Sequence, residues 1–270
     1  MRCPRLATRP SARQAARRVE ILADGGVWTW AFGAGFVVVV FAAIVQSTSG
    51  IGFGLIAAPL LVLIDPKFVP GTVIFLGITV SLLSTLRDIR DVNTGYVAAG
   101  IAGRLPAAIL AASLLASISE IVFQILFATI ILLAVPLSLF GPPLRPSLPG
   151  VALAGVVSGF MGTLTSVGAP PFALALQNAP AHQMRATLNA VLLLGACVSV
   201  AALAVFGSFG WADILRGLAL LPGVFLGFYA ARFVIGAQGT VVWLRPVVLG
   251  LCLVASVILI LRASVALDWI

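Results

Sequence analysis

Two stretches of the chain set small hydroxyls and glycines where a broken helix can present them to a small solute. The first reads Gln46, Ser47, Thr48, Ser49, Gly50, Ile51, Gly52, Phe53, Gly54, with Pro59 shortly after. The second reads Gly162, Thr163, Leu164, Thr165, Ser166, Val167, Gly168, Ala169, Pro170, Pro171. Glycines at alternate positions let a backbone turn tightly and approach a ligand closely. The amide and the hydroxyls beside them add hydrogen-bond donors without adding charge. A helix that restarts after such a break offers free N–H groups and a partial positive charge, which suits an anion. Two breaks meeting at one point would form a neutral, donor-rich cage for a small anionic substrate.

Arg185 follows the second stretch closely, and its guanidinium can hold an oxyanion with two parallel bonds. The alternative is an interfacial anchor that snorkels to the headgroups. Asn189, one turn further on, either lines the same cavity or bonds a neighbouring helix. Arg104 and Arg232 fall inside apolar segments, where a charge is a functional candidate by default. Each also stands near enough to an expected helix end to snorkel. For the glycines the competing account is close helix packing, and Gly155-x-x-x-Gly159 and Gly223-x-x-x-Gly227 are assigned to it.

Other chemistries lack their residues. Asp65, Asp88, Asp91, Glu120, Asp213 and Asp268 all fall at expected segment ends or loops, so no carboxylate is placed mid-membrane. That argues against a proton pump or a dedicated metal-cation carrier. His182 is the only histidine, and Cys3, Cys197 and Cys252 have no metal or disulfide spacing. There is no phosphate-binding loop, nucleophile elbow or H-E-x-x-H motif, so neither an enzyme nor a cofactor is expected.

The elements that must position these residues follow from composition. Of 270 residues 61% are apolar and 9% charged, with a mean hydropathy of +1.18. A soluble domain carries roughly 25% charged residues. A chain so poor in charge must turn its surface to lipid, which makes it an all-α polytopic membrane protein. About eight spans are expected, at 28–46, 69–86, 96–116, 121–140, 148–164, 187–206, 212–234 and 244–262. Segments 50–64 and 165–178 are apolar but interrupted by Gly and Pro, and are read as broken or re-entrant. Such backbone at membrane depth is tolerated only inside protein or along a water-filled cavity.

The net charge of +8 does not point to nucleic acid, because six arginines crowd the first 18 residues. That head, 1–27, reads as a cytoplasmic anchor under the positive-inside tendency, with an organellar transit peptide as the alternative. Fifteen arginines against one lysine, with abundant alanine, suggest a GC-rich bacterial genome and hence the inner membrane. Arg87, Arg90, Arg145 and Arg262 then lie inside, against Lys67 and Arg185.

The Pro-rich linker 141–149 separates a first membrane repeat, 28–140, from a second, 150–262, with a tail at 263–270. Residues 42–64 match 154–176, which sets Pro59 against Pro170, and 103–114 echo 220–231, with Pro106 facing Pro222. Gly/Pro-interrupted segments in matching positions of two halves point to a transporter's binding site. Whether the halves are parallel or inverted is open.

QSTSGIGFGLIAAPLL, GFMGTLTSVGAPPFALAL followed by MRATLNAVLLL, and LPGVFLGFYAARF resemble the sulfite exporter TauE/SafE family of membrane permeases. The resemblance runs from about 28 to 262. It implies about eight spans from an internal duplication and ion-driven transport of sulfite, thiosulfate, sulfonates or small organic acids. The family's pattern maps onto Gly50, Gly52, Gly54 and Pro59, then Gly159, Gly162, Gly168, Pro170 and Pro171, with Arg185-Ala186-Thr187 opening the next span. Ala169 stands where the family often has glycine, and Thr165 with Ser166 adds hydroxyls, which alters the cavity and leaves the anion open. The coupling ion (H+ or Na+), the direction and the oligomeric state are open too. The rivals are a non-transporting scaffold and a cation or metal carrier.

Overall fold

The computed structural model describes residues 30–50, 53–140, 146–235, 250, 253–254 and 257–258. Nine helices follow one another among them: α1 (Trp30–Ser49), α2 (Phe53–Ile64), α3 (Gly71–Arg87), α4 (Thr94–Leu115), α5 (Glu120–Phe140), α6 (Leu148–Thr165), α7 (Ala169–Leu176), α8 (Ala181–Val205) and α9 (Trp211–Ile235). Short 3-10 turns at Pro66–Phe68 and Ile89–Asp91 flank α3, and the described residues contain no strand. Residues 250, 253–254 and 257–258, also helical, fall within the expected eighth span; the rest of that span, most of the linker, the N-terminal head and the tail lie outside the described residues.

Six helices, α1, α4, α5, α6, α8 and α9, are long and apolar enough to cross a membrane. At 1.5 Å per residue a helix of about 20 residues matches a hydrocarbon core of roughly 30 Å. The expected span 69–86 becomes the shorter α3, of 17 residues. The two interrupted segments become α2, of 12 residues, and α7, of 8.

Polar caps mark the helix ends. Asn93 Oδ1 accepts the Tyr96 amide at 3.1 Å to start α4, and Ser147 Oγ accepts the Gly150 amide at 3.2 Å to start α6. Each removes one of the four amides that a helix start leaves without an intrahelical partner. The outward faces carry Val37, Leu133, Leu153 and Leu226, as a lipid-facing surface requires.

Small residues govern how the helices meet. An added Cβ on Gly103 would strike the Ala152 carbonyl, and one on Gly155 the Gly100 carbonyl, so α4 and α6 touch backbone to backbone. On the other side α9 lies against α1, with Gly223 on Phe36 and Gly227 on the Val40 carbonyl and Ala43. Both Gly-x-x-x-Gly pairs therefore have a packing role. Between these pairs α3 and α8 run antiparallel. Ile74, early in α3, clusters with Leu203 late in α8, and Asp88 just past α3 reaches Arg185 in the first turn of α8.

Candidate functional site

Each short helix follows a break of the same construction. α1 ends at Ser49, and Gly50 takes a left-handed φ of 79° while its amide bonds the Gln46 carbonyl at 2.8 Å. α6 ends at Thr165, and Ser166 takes a φ of 66° while its amide bonds the Gly162 carbonyl at 2.9 Å. A non-glycine residue in this region costs about 1–2 kcal/mol. The Ser166 hydroxyl answers part of that by donating to the Pro70 carbonyl at 3.1 Å. Helices restart at Phe53 and at Ala169. Ser49 and Thr165, Gly50 and Ser166, Phe53 and Ala169 are each 116 positions apart, the same spacing as Pro106 and Pro222. The match of Pro59 with Pro170 does not hold in three dimensions: Pro59 lies inside α2, whereas Pro170 and Pro171 open α7.

The two breaks meet. An added Cβ on Gly54 would run into the Ser166 carbonyl, so the start of α2 rests directly on the second break. Beside this contact lies a cavity of about 50 Å³, lined by Gln46, Gly54, Ser81, Arg104, Gly162, Ser166 and Gly168 among polar residues and glycines. Phe53, Leu55, Val73, Ile74, Ala169, Leu192 and Ala196 supply its apolar wall. The lining contains an arginine and no carboxylate.

Arg104 is the eleventh of the 22 residues of α4 and is 3% exposed. Its Nη1 donates to Ser158 Oγ at 2.7 Å, and Ser158 in turn donates to the Gly168 carbonyl at 2.6 Å. Nε has no hydrogen-bond partner among the described residues. Three glycines from three segments leave room for the guanidinium. A Cβ on Gly162 would lie 2.9 Å from Nη2, one on Gly168 2.9 Å from Nη1, and one on Gly195 would overlap the group. No acidic residue pairs with Arg104 among the described residues. Inserting an arginine at mid-membrane costs about 2.5–3.5 kcal/mol on translocon scales, so such residues persist where they serve a site.

Gln46 is a strut. Its Nε2 donates to Ser81 Oγ at 2.9 Å and to Asn189 Oδ1 at 3.2 Å, while Oε1 accepts the Phe53 amide at 3.1 Å. Four helices are thereby tied at the cavity wall. Asn189 is fully buried, and its Nδ2 donates to the Arg185 carbonyl at 2.9 Å. Ser47 is buried with its hydroxyl unpartnered among the described residues, outside the cavity lining. Thr48 and Ser49 donate back to carbonyls of α1, Thr165 donates to the Met161 carbonyl, and Thr163 shares a 2.8 Å bond with Ser199. Gly52 lies outside the described residues.

Arg185 stands at the α3–α8 end, where Nε donates to Asp88 Oδ2 at 2.9 Å. Gly50 packs on its stem, and an added Cβ there would come within 2.9 Å of Cγ. Arg87 binds the same carboxylate through Nε at 3.1 Å and Nη2 at 3.0 Å, and Nη2 also reaches the Ser47 carbonyl at 2.8 Å. Burial raises the pKa of Asp88, but the bond and charge of Arg87 and then the charge and bond of Arg185 outweigh it, leaving the carboxyl below its usual range.

Of the residues singled out from sequence, Gln46, Gly54, Gly162, Ser166 and Gly168 converge on the cavity, and Arg185 does not line it. Ser81, Ser158, Gly195 and the central place of Arg104 went unread. Arg104's mid-span position was the one available signal. A family model described as sulfite exporter TauE/SafE matches residues 35–259. No curated protein and no solved structure matches the chain.

Proposed function

Because the chain belongs to the sulfite exporter TauE/SafE family and is a multi-pass integral membrane protein, we propose that it is a secondary transporter of a small anion. The observation that carries this reading is the meeting of two like breaks at a cavity whose lining holds an arginine and no carboxylate. Sulfite, thiosulfate, a short sulfonate and a small carboxylate are the candidate substrates, moved by alternating access and driven by a gradient of H+ or Na+. The site comprises the two breaks and the groups around them, in the bacterial inner membrane with the N-terminus cytoplasmic.

Two repeats give this mechanism its moving parts. The uniform spacing of 116 between corresponding break residues supports a duplication. So does reciprocal packing, in which α4 lies on α6 as α9 lies on α1. α3 and α8 would be equivalent helices, and their antiparallel course favours inverted over parallel halves. Rocking of one half against the other would then expose the cavity to alternate sides.

The test is uptake into liposomes holding the purified protein, with labelled sulfite, thiosulfate and methanesulfonate compared with Na+ and a neutral sugar. Saturable flux of one anion under a proton or sodium gradient is expected. Absence of saturable flux would favour a scaffold, and flux of a metal cation alone would favour a cation carrier.

A further inference from the structure

We propose that Arg104 is the residue that binds the transported anion, as an oxyanion carrying at least two oxygens on one centre; this rests on the anion-transporter reading above. The guanidinium is built into the wall of the cavity and is 3% exposed. Ser158 holds Nη1, while Nε has no partner among the described residues. A planar guanidinium edge with a free donor suits two parallel bonds to an oxyanion, and a spherical halide cannot use both.

The breaks by themselves have little left to offer an anion. The Phe53 amide at the start of α2 is taken by Gln46, and Pro170 and Pro171 in the first turn of α7 carry no N–H. Arg185 is paired with Asp88, which it shares with Arg87, at the far end of α3 and outside the cavity lining. The countercharge at the cavity is therefore that of Arg104.

Helix packing does not explain an arginine here. Leu220, 116 residues further on and two before Pro222 as Arg104 is two before Pro106, is fully buried in the corresponding stretch of α9. Leucine thus meets the packing need at the matching place. Gly162, Gly168 and Gly195, by contrast, clear space for a guanidinium, and a Cβ on any of them would press on it. With the cation on one half only, the cavity is built for one anion at a time.

The experiment titrates sulfite and chloride into the detergent-purified full chain, as wild type, Arg104→Leu, Arg104→Lys and the exposed-turn control Arg90→Gln, with thermal unfolding of each. Loss of a charged hydrogen bond predicts sulfite binding weakened about 10- to 150-fold in Arg104→Leu. Its melting temperature should stay level or rise, since a buried unpaired charge is gone. Arg104→Lys should fold and bind sulfite weakly, with less preference over chloride, and Arg90→Gln should match wild type. If Arg104→Leu does not fold, Arg104→Lys decides, and wild-type affinity in that variant overturns the proposal. Wild-type sulfite affinity in Arg104→Leu overturns it too, leaving the transporter reading intact. A wild type that neither binds nor moves any anion removes both.

Discussion

The guanidinium of Arg104 lies so close to Gly195 that not even a methyl group fits between them. α4 contributes the cation and α8 the missing side chain that makes room for it. Gly195→Ala should therefore destabilise the protein by about 1–3 kcal/mol through overpacking. In an Arg104→Ala background the same substitution should be nearly neutral, because the clashing group is absent. Thermal unfolding of the four proteins in detergent measures this coupling.

Gln46 ties Phe53, Ser81 and Asn189 together at the cavity wall. Gln46→Leu leaves the buried Phe53 amide and the Asn189 carbonyl oxygen without partners. A loss of about 1–3 kcal/mol for each unsatisfied group is expected, together with reduced flux. Unfolding midpoints and liposome uptake check the two effects separately.

Gly54 rests on the backbone carbonyl of Ser166, which cannot rotate away as a side chain can. Gly54→Ala should push the two breaks apart and abolish transport even where some protein still reaches the membrane. Surface expression and uptake, measured together, distinguish this from simple loss of protein.

Asp88 bridges Arg87 and Arg185 and joins the end of α3 to the start of α8. The two arginines hold its folded pKa below the usual aspartate range, so the bridge stabilises the fold at neutral pH and above. That contribution fades as the pH falls below about 4 and the carboxyl takes up a proton. Asp88→Asn should lower the melting temperature at pH 7 and lower it less near pH 3. An equal loss at both values would remove the charge as its cause.

Apolar runs about 20 residues long are a strong signal, and seven expected spans fall on described helices within a few residues except at the start of α8, which begins at Ala181 rather than 187. The breaks were legible for a similar reason, since Gly50, Gly168 and the proline pair Pro170 and Pro171 interrupt those runs. Their register was harder to read. Pro59 and Pro170 match along the sequence, but a proline can open one helix and sit inside another, whereas the left-handed residues Gly50 and Ser166 mark the same backbone event.

In the sequence Arg185 stands out because it follows the second break along the chain, while Arg104 reads either as a functional intramembrane charge or as a snorkelling end residue. At 1.5 Å per residue, Arg104 lies about 15 Å from the start of α4, too deep for an easy escape to the headgroups. Its neighbours Ser158, Gly168 and Gly195 come from two other helices and a break, and no spacing in the sequence announces such a meeting. Three of the six hydroxyls beside the breaks, those of Thr48, Ser49 and Thr165, are spent on carbonyls of their own helices.

Anomalous scattering from crystals grown or soaked with selenite, a heavier analogue of sulfite, would test the central claim most directly. A selenium peak in the cavity between the two breaks, within hydrogen-bond reach of Arg104, is the predicted result. A peak beside Arg185 and Asp88 instead, or an empty cavity in protein that still transports the anion, would contradict it.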